Sequence, residues 1–570
     1  MHGGAMGPVT AFSQELHAAK YRRPDEDFRE AMNRIAAGLK DDDKHFHAFR
    51  SILLDMRFLP GGRIQSAIGS GRSVTGYNCF VSGTISDSMT GHESSIMGRA
   101  AQAAETMRRG GGIGYDFSTL RPRGALIKKL QSSATGPISF MEIFDAVGRS
   151  ISSSGHRRGA QMGVLRVDHP DIEEFVRAKH RQGHLTGFNV SVAVTDDFMR
   201  AVENDGMHQL VFERRAYGEV RARDLWETIM RGTWDWAEPG VLFIDRINEQ
   251  NNLRYCETIA ATNPCGEQPL PPFGACLLGS FNLCRYLIQP AVGEPTGFDF
   301  AKLRADIPHV VRAMDNVVDR SAYPLVEQEQ EAHIKRRMGL GITGLSTALA
   351  ALGFEYGTTD FCEMMGHVME VIRDGAYEAS ADIAAEKGCF RAFERDAYLA
   401  APFVARLPNS IRDKIARAGI RNSHLLSVAP TGTISMAADN ISSGVEPVFA
   451  LKQKRIVAID GEPREVEIVD YGIGHGWKEP KVAADCSVSD HLAVLEVASV
   501  NVDSAVSKTC NVPPTMPWDD FKGVYVRAWK MGAKGCTTFN PGGQRTGIMS
   551  AAEADTSCRI DEETGRKECA

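Results

Sequence analysis

The sequence predicts an α/β fold organised as one large domain. Amphipathic helical patterns alternate with short apolar runs and Gly-rich turns along the middle of the chain, an alternation that favours strands connected by helices. The 570 residues, of which 43% are hydrophobic and 24% charged, have ordinary globular composition and enough length for a large core. Neither a fixed-period repeat nor a long linker interrupts residues 60–545, so one domain is favoured over several.

The first clear helix is predicted to open at Pro24, and a second lies in "DHPDIEEFVRAK", where Pro170 is near the first turn and acidic residues complement the helix dipole. Short apolar runs, "MGVLRV" and "GVLFI", predict strands. In the first helix an i, i+3, i+4, i+7 spacing predicts one packed face, formed by Phe28, Ala31, Met32, Ile35, Ala36 and Leu39.

The charge balance argues against a protein that binds duplex nucleic acid. Lys and Arg number 65 against 72 Asp and Glu, a formal charge of −7, so the basic excess typical of a polyanion binder is absent. The N-terminus lacks a basic segment followed by an apolar one, and no run approaches the roughly 20 apolar residues of a membrane span. We therefore expect a cytoplasmic protein, with any nucleic-acid-related role limited to small nucleotides.

The cysteines favour neither a disulfide framework nor a metal site. No C-x-x-C pair occurs, so neither a zinc ribbon nor a thioredoxin-type motif is supported. In a large chain with no secretion signal, most cysteines are expected to be buried small hydrophobes. The twelve stand at positions 79, 256, 265, 276, 284, 362, 389, 486, 510, 536, 558 and 569.

One of these cysteines has unusual neighbours in "ATNPCGEQPLPPFGACLLGSFNLC". In an extended segment side chains alternate, so Asn263, Cys265 and Glu267 would project to one side. Pro264 cannot donate to a ladder and Gly266 is flexible, which predicts a rigid, extended loop rather than a central strand. The pattern presents an amide, a thiol and a carboxyl together, although a buried cysteine beside a capping Asn and a surface Glu fits the same letters.

Two glycine-rich stretches invite a nucleotide interpretation. "RRGGGIGYDF" lacks the third glycine of a dinucleotide-binding fingerprint. "APTGTISMAADNISSGVEP" offers hydroxyls and approachable backbone amides at Thr431, Gly432, Thr433 and Ser435. This composition suits a phosphate-binding nest and equally suits an ordinary turn.

Taken together, "NPCGE", "CLLGSFNL", "RRMGLGITGL", "APTGTIS…SGVEP" and "DSAVSKTCNVP" occur in the order in which they resemble the catalytic subunit of ribonucleotide reductase. The resemblance runs from about "AAKYRRPDEDF" to "KGCTTFNPGG". It implies a ten-stranded α/β barrel of two antiparallel halves with the cysteine loop threaded through its centre. The implied organisation is an N-terminal helical segment at 1–60, the barrel at 61–545 and a mobile C-terminal tail at 546–570.

The resemblance assigns chemistry to the loop. Removing a ribose 3′-hydrogen as an atom lets the 2′-hydroxyl leave as water, and a thiyl radical at Cys265 is the implied abstractor. Glu267 would accept the 3′-hydroxyl proton and Asn263 would orient the hydroxyls. The substrate contacts that the resemblance carries over are Gly61, Asn78, Gly112, Gly432, Thr433 and Ile434.

Reduction needs two electrons, most simply from two thiols that form a disulfide. The resemblance places this pair at Cys79 in "GYNCFVSG" and Cys276 in "FGACLLGS". Cys284 and Cys256 compete by proximity in sequence. Cys558 and Cys569 would form a shuttle that thioredoxin or glutaredoxin reduces, although ten residues separate them, a wider spacing than is usual in the family.

The resemblance also implies allosteric control of substrate choice by dNTP or ATP at the interface of a homodimer. The loop "SSSGHRRGAQMG" would relay the effector signal to the substrate base. The roughly 60 residues before "FLPGGR" leave no room for an ATP-binding module that controls overall activity. A solvated charged loop is the alternative interpretation of the effector residues, which are Asp87, Ser88, Met89, Arg121 and Lys128.

The radical source is implied by the stretch "KGCTTFNPGG". Relay-type members of the family need two adjacent tyrosines here, and Thr537 and Thr538 take their place, followed by Phe539, which lacks a phenol. Adenosylcobalamin is therefore the expected cofactor, with ribonucleoside diphosphates favoured over triphosphates as substrates. The alternative is a class I-type large subunit that takes a radical from a separate metal-containing subunit. No metal site within this chain is expected.

Overall fold

The computed structural model describes residues 7–153, 157–181, 183–290, 293–459, 462–544, 558–560 and 567–569. Three short 3₁₀ helices cover Leu283–Tyr286, Val404–Arg406 and Ala483–Asp485. The α-helices of these residues are α1 (Ala11–Tyr21), α2 (Phe28–Leu39), α3 (Asp43–Leu54), α4 (Gly62–Ala67), α5 (Ile96–Arg108), α6 (Pro137–Ser150), α7 (Ile172–Arg177), α8 (Asp196–Glu203), α9 (Ala222–Trp236), α10 (Ile244–Glu249), α11 (Phe300–Arg320), α12 (Val326–Lys335), α13 (Leu345–Ala351), α14 (Thr359–Lys387), α15 (Arg395–Leu399), α16 (Asn409–Ala418), α17 (Gly432–Met436), α18 (Tyr471–Gly474), α19 (Val488–Val500) and α20 (Trp518–Lys530).

The strands of the described residues are mostly short. They are β1 (Phe58–Pro60), β2 (Cys79–Val81), β3 (Gly112–Asp116), β4 (Leu126–Ile127), β5 (Ser132–Ser133), β6 (Ser152–Ser153), β7 (Arg157–Arg158), β8 (Gln161–Arg166), β9 (Phe188–Val194), β10 (Met207–Phe212), β11 (Arg215–Arg221), β12 (Gly240–Phe243), β13 (Ala261–Thr262), β14 (Pro269–Leu270), β15 (Ala275–Cys276), β16 (Leu278–Asn282), β17 (Leu287–Ile288), β18 (Gly297–Phe298), β19 (Gly339–Thr343), β20 (Lys452–Ile459), β21 (Glu462–Val469), β22 (Thr509–Asn511), β23 (Gly535–Phe539), β24 (Cys558–Ile560) and β25 (Lys567–Cys569).

Two sheets organise the centre of the molecule. The larger has eight strands in the order β15-β2-β3-β8-β9-β12-β23-β22, and the smaller has the order β1-β16-β19. Strands β2, β3, β8, β9 and β12 are parallel to one another, whereas β15 and β23 run antiparallel to the neighbours at the two ends of that set. The α/β class is thus confirmed. Among the described residues the pairings do not close into a single ring, so the predicted ten-stranded barrel is not seen as one continuous sheet.

The predicted local elements are found, with one corrected boundary. Helix α2 begins at Phe28 rather than at Pro24, because the Asp27 side chain accepts from Glu30 N and the Glu30 side chain accepts from Asp27 N, closing a capping box. Helix α7 and strands β8 and β12 confirm the other predictions. The buried residues of α2 are those of the predicted face other than Phe28, namely Ala31, Met32, Ile35, Ala36 and Leu39.

The N-terminal helices pack into the main apolar core instead of standing apart. Ile35 of α2 and Phe49 of α3 are fully buried in the same cluster as Val310 of α11 and Met365 of α14. Of the predicted tail at 546–570, only β24 and β25 belong to the described residues, and the predicted mobility concerns residues outside them.

Candidate active site

The cysteine loop is the turn of a hairpin. Strands β13 and β14 pair antiparallel, and Asn263 and Gln268 close the turn through two bonds, Asn263 N to Gln268 O at 3.1 Å and Gln268 N to Asn263 Oδ1 at 3.0 Å. The chain reverses at Gly266, whose φ is +82°. The prediction of an extended loop was therefore wrong. Cys265 lies exposed at the tip, while Asn263 and Glu267 are buried at its base.

The hairpin is pressed against the parallel half of the larger sheet. Thr262 O lies so close to Gly114 of β3 that a Cβ there would collide with it, which explains the glycine. On the next strand but one, β9, Asn189 Nδ2 donates to Pro264 O at 3.1 Å. The loop carrying the thiol is thus fixed by backbone packing and by an amide that no sequence motif marked.

The residue that carries the carboxyl is also held by its backbone. Glu267 O accepts from Ser427 Oγ at 3.0 Å and from Ala505 N at 2.9 Å. Sequence reasoning missed Ser427, and it included Ala505 only as part of the motif "DSAVSKTCNVP", without assigning it a role. It also missed Gln268, which directly follows the recognised motif and is buried with Nε2 lacking a hydrogen-bond partner.

Burial tunes the carboxyl for proton transfer. Desolvation raises the pKa of Glu267 to about 7, and the neighbouring Asn263 amide offsets part of that rise. Glu267 Oε2, Asn263 Nδ2 and Asn78 Oδ1 are buried and have no hydrogen-bond partner of normal geometry among the described residues. Because orphaned buried polar atoms are costly, these three atoms indicate a place where a polar ligand completes the site.

Two of the predicted redox cysteines face each other. Cys79 and Cys276 are register partners on β2 and β15, and such antiparallel partners have Cα atoms about 4.5–5.5 Å apart, within the about 4.4–6.8 Å that a disulfide requires. Burial raises the pKa of Cys276 well above its usual value, and Glu267, Cys79 and Cys265 beside it add to the rise. Cys276 is therefore a thiol, not a thiolate, at neutral pH.

The competing cysteines have other surroundings. The Cys284 thiol is buried and donates to Gly344 O at 3.6 Å, and Cys256 is exposed beside Glu257. Neither is a strand partner of Cys79 or Cys276. The geometry thus favours the pair that the resemblance implied.

Three of the predicted substrate residues surround this cysteine pair. Asn78 N donates to Cys276 O at 3.1 Å, and Asn78 O accepts from Gly112 N at 3.0 Å. A Cβ on Gly61 would lie 2.8 Å from Asn78 Oδ1, and a Cβ on Gly112 would lie 3.2 Å from Cys79 Sγ. The two glycines therefore let the backbone pack closely against Asn78 and Cys79, where a side chain would crowd them.

The other three predicted substrate residues, Gly432, Thr433 and Ile434, form the first turn of α17. Thr431 precedes them at a φ of +56°, and its Oγ1 accepts from Gly444 N at 2.8 Å. Ile434 lines a small cavity together with Pro60, the neighbour of Gly61. The α17 turn therefore lies close to the loop that contains Gly61.

The predicted effector residues are brought together only in part. Arg121 Nε donates to Asp87 Oδ2 at 2.5 Å, whereas Lys128 follows β4 on the exposed surface. Ser88 and Met89 lie just before α5 and accept from its first residues through their carbonyls. Residues 154–156 of the predicted relay loop lie outside the described residues.

The tail cysteines are also register partners. Cys558 of β24 faces Cys569 of β25 in an antiparallel pair. The strand pairing therefore brings together two residues that their ten-residue spacing had set apart from the usual tail pairs. Residues 561–566 lie outside the described residues.

The two threonines of the expected relay position lie on β23. Thr537 is exposed, and Thr538 is buried with Oγ1 at 2.9 Å from the hydroxyl of Tyr525. In the part of the chain that the structure describes, no group of three or more His, Cys, Asp or Glu side chains could hold a metal ion. Nor does any helix there have the length and apolar character to cross a membrane.

Comparison with known proteins places these features in context. A family described as "Ribonucleotide reductase, barrel domain" matches residues 77–471 and 476–539. A "Vitamin B12-dependent ribonucleoside-diphosphate reductase" of Mycobacterium tuberculosis (strain CDC 1551 / Oshkosh) is 35% identical over 93% of this chain and 78% of its own length. A protein of the same description from Thermoplasma acidophilum is 30% identical over 93% and 69%. A "Vitamin B12-dependent ribonucleotide reductase" of Streptomyces avermitilis is 25% identical over 94% and 63%.

Proposed function

The chain belongs to the ribonucleotide reductase family, and we propose on that premise that it reduces ribonucleoside diphosphates to 2′-deoxyribonucleotides with adenosylcobalamin as its radical source. The relatives named above are described as vitamin B12-dependent. The observation that carries the proposal is the arrangement of Asn263, Cys265 and Glu267 on one hairpin beside the Cys79–Cys276 pair.

Each side chain of the hairpin has a defined role. Cys265, as a thiyl radical, takes the 3′-hydrogen atom of the ribose and returns it at the end of the cycle. Glu267 accepts the 3′-hydroxyl proton, a role suited to a carboxyl whose pKa is about 7. The orphaned Asn263 Nδ2 donates to a ribose hydroxyl, so that the substrate supplies the partner that the protein lacks.

The cysteine pair provides the electrons. As the Cys79 and Cys276 thiols become a disulfide, two electrons and two protons pass to the substrate, and the 2′-hydroxyl leaves as water. The raised pKa of Cys276 keeps its proton in place for this transfer. The Cys79 thiol lies against Gly112, where a side chain would crowd the thiol.

The residues around Cys265 fit a large cofactor. No atom lies within 4 Å of a Cβ built on Gly266 at the tip, so the thiol can be approached from outside. Small residues line the adjoining strands: Ser191 of β9 is the register partner of Gly240 of β12, and Thr537 lies beside them on β23. These three residues would lie toward adenosylcobalamin, which when bound supplies a carbon-centred radical that takes the hydrogen atom from the Cys265 thiol.

The fold supports a closed barrel. Parallel bridges at Leu340–Leu426 and Val428–Val506 extend from the smaller sheet toward β22 at the edge of the larger one. We infer that this line of bridges completes a ten-stranded barrel with the cysteine hairpin as its central finger. We retain 1–60, 61–545 and 546–570 as the proposed boundaries of helical segment, barrel and tail.

The regulation and partners are proposals as well. The Asp87–Arg121 pair supports an effector site for dNTP or ATP at the interface of a homodimer, to which Ser88, Met89 and Lys128 would also contribute. The facing Cys558 and Cys569 support a tail dithiol that thioredoxin or glutaredoxin reduces and that then reduces the Cys79–Cys276 disulfide. Thiol chemistry of this kind requires a reducing compartment, so we place the protein in the cytoplasm.

The test uses the purified chain alone, incubated with a ribonucleoside diphosphate, an effector, dithiothreitol and adenosylcobalamin. Formation of the 2′-deoxyribonucleotide, and its loss in Cys265→Ala, supports the proposal. A requirement for a separate iron- or manganese-containing subunit would overturn the cobalamin assignment in favour of the class I-type alternative.

A further inference from the structure

The N-terminal helix α1 lies outside the residues that match the barrel family, yet it contacts two segments of the proposed substrate site. The match begins at residue 77, whereas α1 covers Ala11–Tyr21. One of its contacts is with α17, which holds Gly432, Thr433 and Ile434, and the other is with the segment that holds Gly61 and Gly62.

The contact with α17 is polar and buried. Ser13 is fully buried, and its Oγ donates to Met436 O, the last residue of α17, at 2.7 Å. Asp439, three residues further on, accepts from Val9 N and Thr10 N, both at 2.9 Å, and from Thr10 Oγ1 at 3.1 Å. Thr10 is the N-cap of α1, so the Asp439 carboxylate binds the residues at the start of the helix and complements the dipole at its N-terminus.

An apolar contact supports the polar one. Leu16 and Tyr21 of α1 form a small cluster with Met436 and Ala437, against which Ile434 also packs. Helix α17 has only five residues, too few to be stable without tertiary contacts. The α1 contacts therefore help to hold it in place, together with the bond between Ser435 Oγ and Ser443 Oγ at 2.9 Å.

The second contact is with α4, which begins directly after Gly61. A Cβ on Gly62 would lie 2.7 Å from the Tyr21 ring, so the ring rests on the glycine itself. His17 contacts Gln65 of α4 and remains neutral, because burial lowers the pKa of His17 to about 3. One helix thus touches both segments at which the proposed function places substrate contacts.

We propose that α1 is a clamp that holds α17 and the Gly61 segment at a fixed separation, and that Ser13 and Asp439 are positioning residues for binding of the substrate diphosphate. This inference rests on the proposed function. Ser13 and Asp439 hold α1 against the α17 region, which the proposed function assigns to the substrate phosphates, so we expect the clamp to act on binding of the substrate and not on the radical step.

Asp439 offers a matched pair of variants for the test. Its φ is +64°, a conformation that Gly and Asn adopt with little strain. Asp439→Gly removes the acceptor, and Asp439→Asn keeps Oδ1, which receives all three donors. Ser13→Ala removes the other bond and provides a second route if Asp439→Gly does not fold.

The measurement is steady-state kinetics of each full-length variant with CDP, adenosylcobalamin, an effector and dithiothreitol, together with the dissociation constant of the effector. For Asp439→Gly and for Ser13→Ala we expect KM for CDP to rise about three- to tenfold for the lost hydrogen bonds. We expect kcat and effector affinity to stay within about twofold of the wild type, and Asp439→Asn to restore KM.

The outcomes separate the clamp from the proposed function. If the wild-type chain does not reduce CDP, the proposed function fails, and the clamp with it. If the wild type is active and both Asp439→Gly and Ser13→Ala keep the wild-type KM, with or without a loss of kcat, the clamp is wrong and the proposed function stands.

Discussion

Two cysteine pairs among the described residues are register partners on antiparallel strands, and the two pairs belong to different sheets. Cys79 and Cys276 lie on β2 and β15 of the central sheet, with Cys276 fully buried beside Glu267 and Cys265. Cys558 and Cys569 face each other on β24 and β25, a separate two-stranded sheet near the end of the chain. Both pairs thus share the same strand register, and we propose that the inner pair, Cys79 and Cys276, reduces the substrate while the outer pair, Cys558 and Cys569, reduces the inner one.

The largest effect is expected at Cys265, because this thiol acts directly on the substrate and belongs to neither cysteine pair. Cys265→Ala should lower turnover by at least about 10⁴-fold, since it removes the abstracting thiol. The Cys79–Cys276 pair should stay reduced after incubation with substrate and cofactor, as counted by thiol alkylation. If this variant formed the disulfide in step with a deoxyribonucleotide product, Cys265 could not be the abstractor.

Cys276→Ser addresses the inner pair. We expect turnover to fall below about 1% of the wild type with any external reductant, because a hydroxyl cannot supply the electrons of a thiol. The measurement is product formation with dithiothreitol and, separately, with thioredoxin. If Cys276→Ser were as active as the wild type with either reductant, another pair of thiols would have to reduce the substrate.

The double variant Cys558→Ser, Cys569→Ser addresses the outer pair. Turnover with thioredoxin should fall by at least about tenfold, because the exchange partner of the buried disulfide is gone, whereas turnover with dithiothreitol should remain. The two reductants are compared on the same preparation. Normal turnover of this variant with thioredoxin, in the absence of dithiothreitol, would eliminate the shuttle.

Acidity sharpens the comparison, because Glu267 lies beside Cys276 of the inner pair. Its pKa of about 7 predicts that kcat/KM falls about tenfold per pH unit below that value, as the base becomes protonated. The outer exchange step, followed separately by thiol alkylation, should not show this dependence on Glu267. A pH profile of kcat/KM that is flat between about pH 5 and pH 7, the interval between the ordinary and the raised pKa of the carboxyl, would contradict the assigned base.

The same shift has a consequence for stability. The folded pKa of Glu267 is raised from 4.5 to about 7, so the charged form is disfavoured in the folded state, and stability is lost as the pH rises through this interval. Glu267→Gln should be inactive, because it lacks the base. It should also have a higher free energy of unfolding at pH 8 than the wild type, by up to about 3 kcal/mol, because it has no carboxylate to bury. Denaturant titrations at pH 5 and pH 8 measure the difference between the two proteins. It should shrink at pH 5, because the Glu267 carboxyl of the folded wild type is then protonated and buries no charge.

The smallest effect is expected at Cys284, a control for proximity in sequence. Its thiol contacts Gly344 O instead of another thiol, so Cys284→Ser should keep turnover within about twofold of the wild type. Steady-state turnover with dithiothreitol measures it. A loss as large as that of Cys276→Ser would mean that strand register does not identify the redox pair.

Sequence patterns predicted the α/β class, the packed face of α2 and the strands β8 and β12. They could not predict the turn at Gly266, because alternation of side chains assumes an extended backbone, and Gly266 reverses the chain at a φ of +82°. Nor could they identify Ser427 or Asn189, which reach the hairpin from distant parts of the chain through single hydrogen bonds.

In the tail, spacing in sequence argued against a pair of cysteines that the strand register brings together. Ten residues between Cys558 and Cys569 made the pair look unlike a usual shuttle, because spacing in sequence does not show which strands pair. The register of β24 and β25 places the two residues opposite each other. The contacts between the α1 region and the α17 region could not be predicted from the sequence either, since they join residues about 430 positions apart and follow no local motif.

The most direct test of the account counts product in the absence of any external reductant. The chain is reduced completely, freed of reductant, and then given a ribonucleoside diphosphate, effector and adenosylcobalamin. With each dithiol worth one product, the account predicts about two deoxyribonucleotides per wild-type chain, about one for the Cys558→Ser, Cys569→Ser variant, and none for Cys276→Ser. About two products per chain from the tail variant would contradict the assignment of an inner pair that reduces substrate and an outer pair that reloads it.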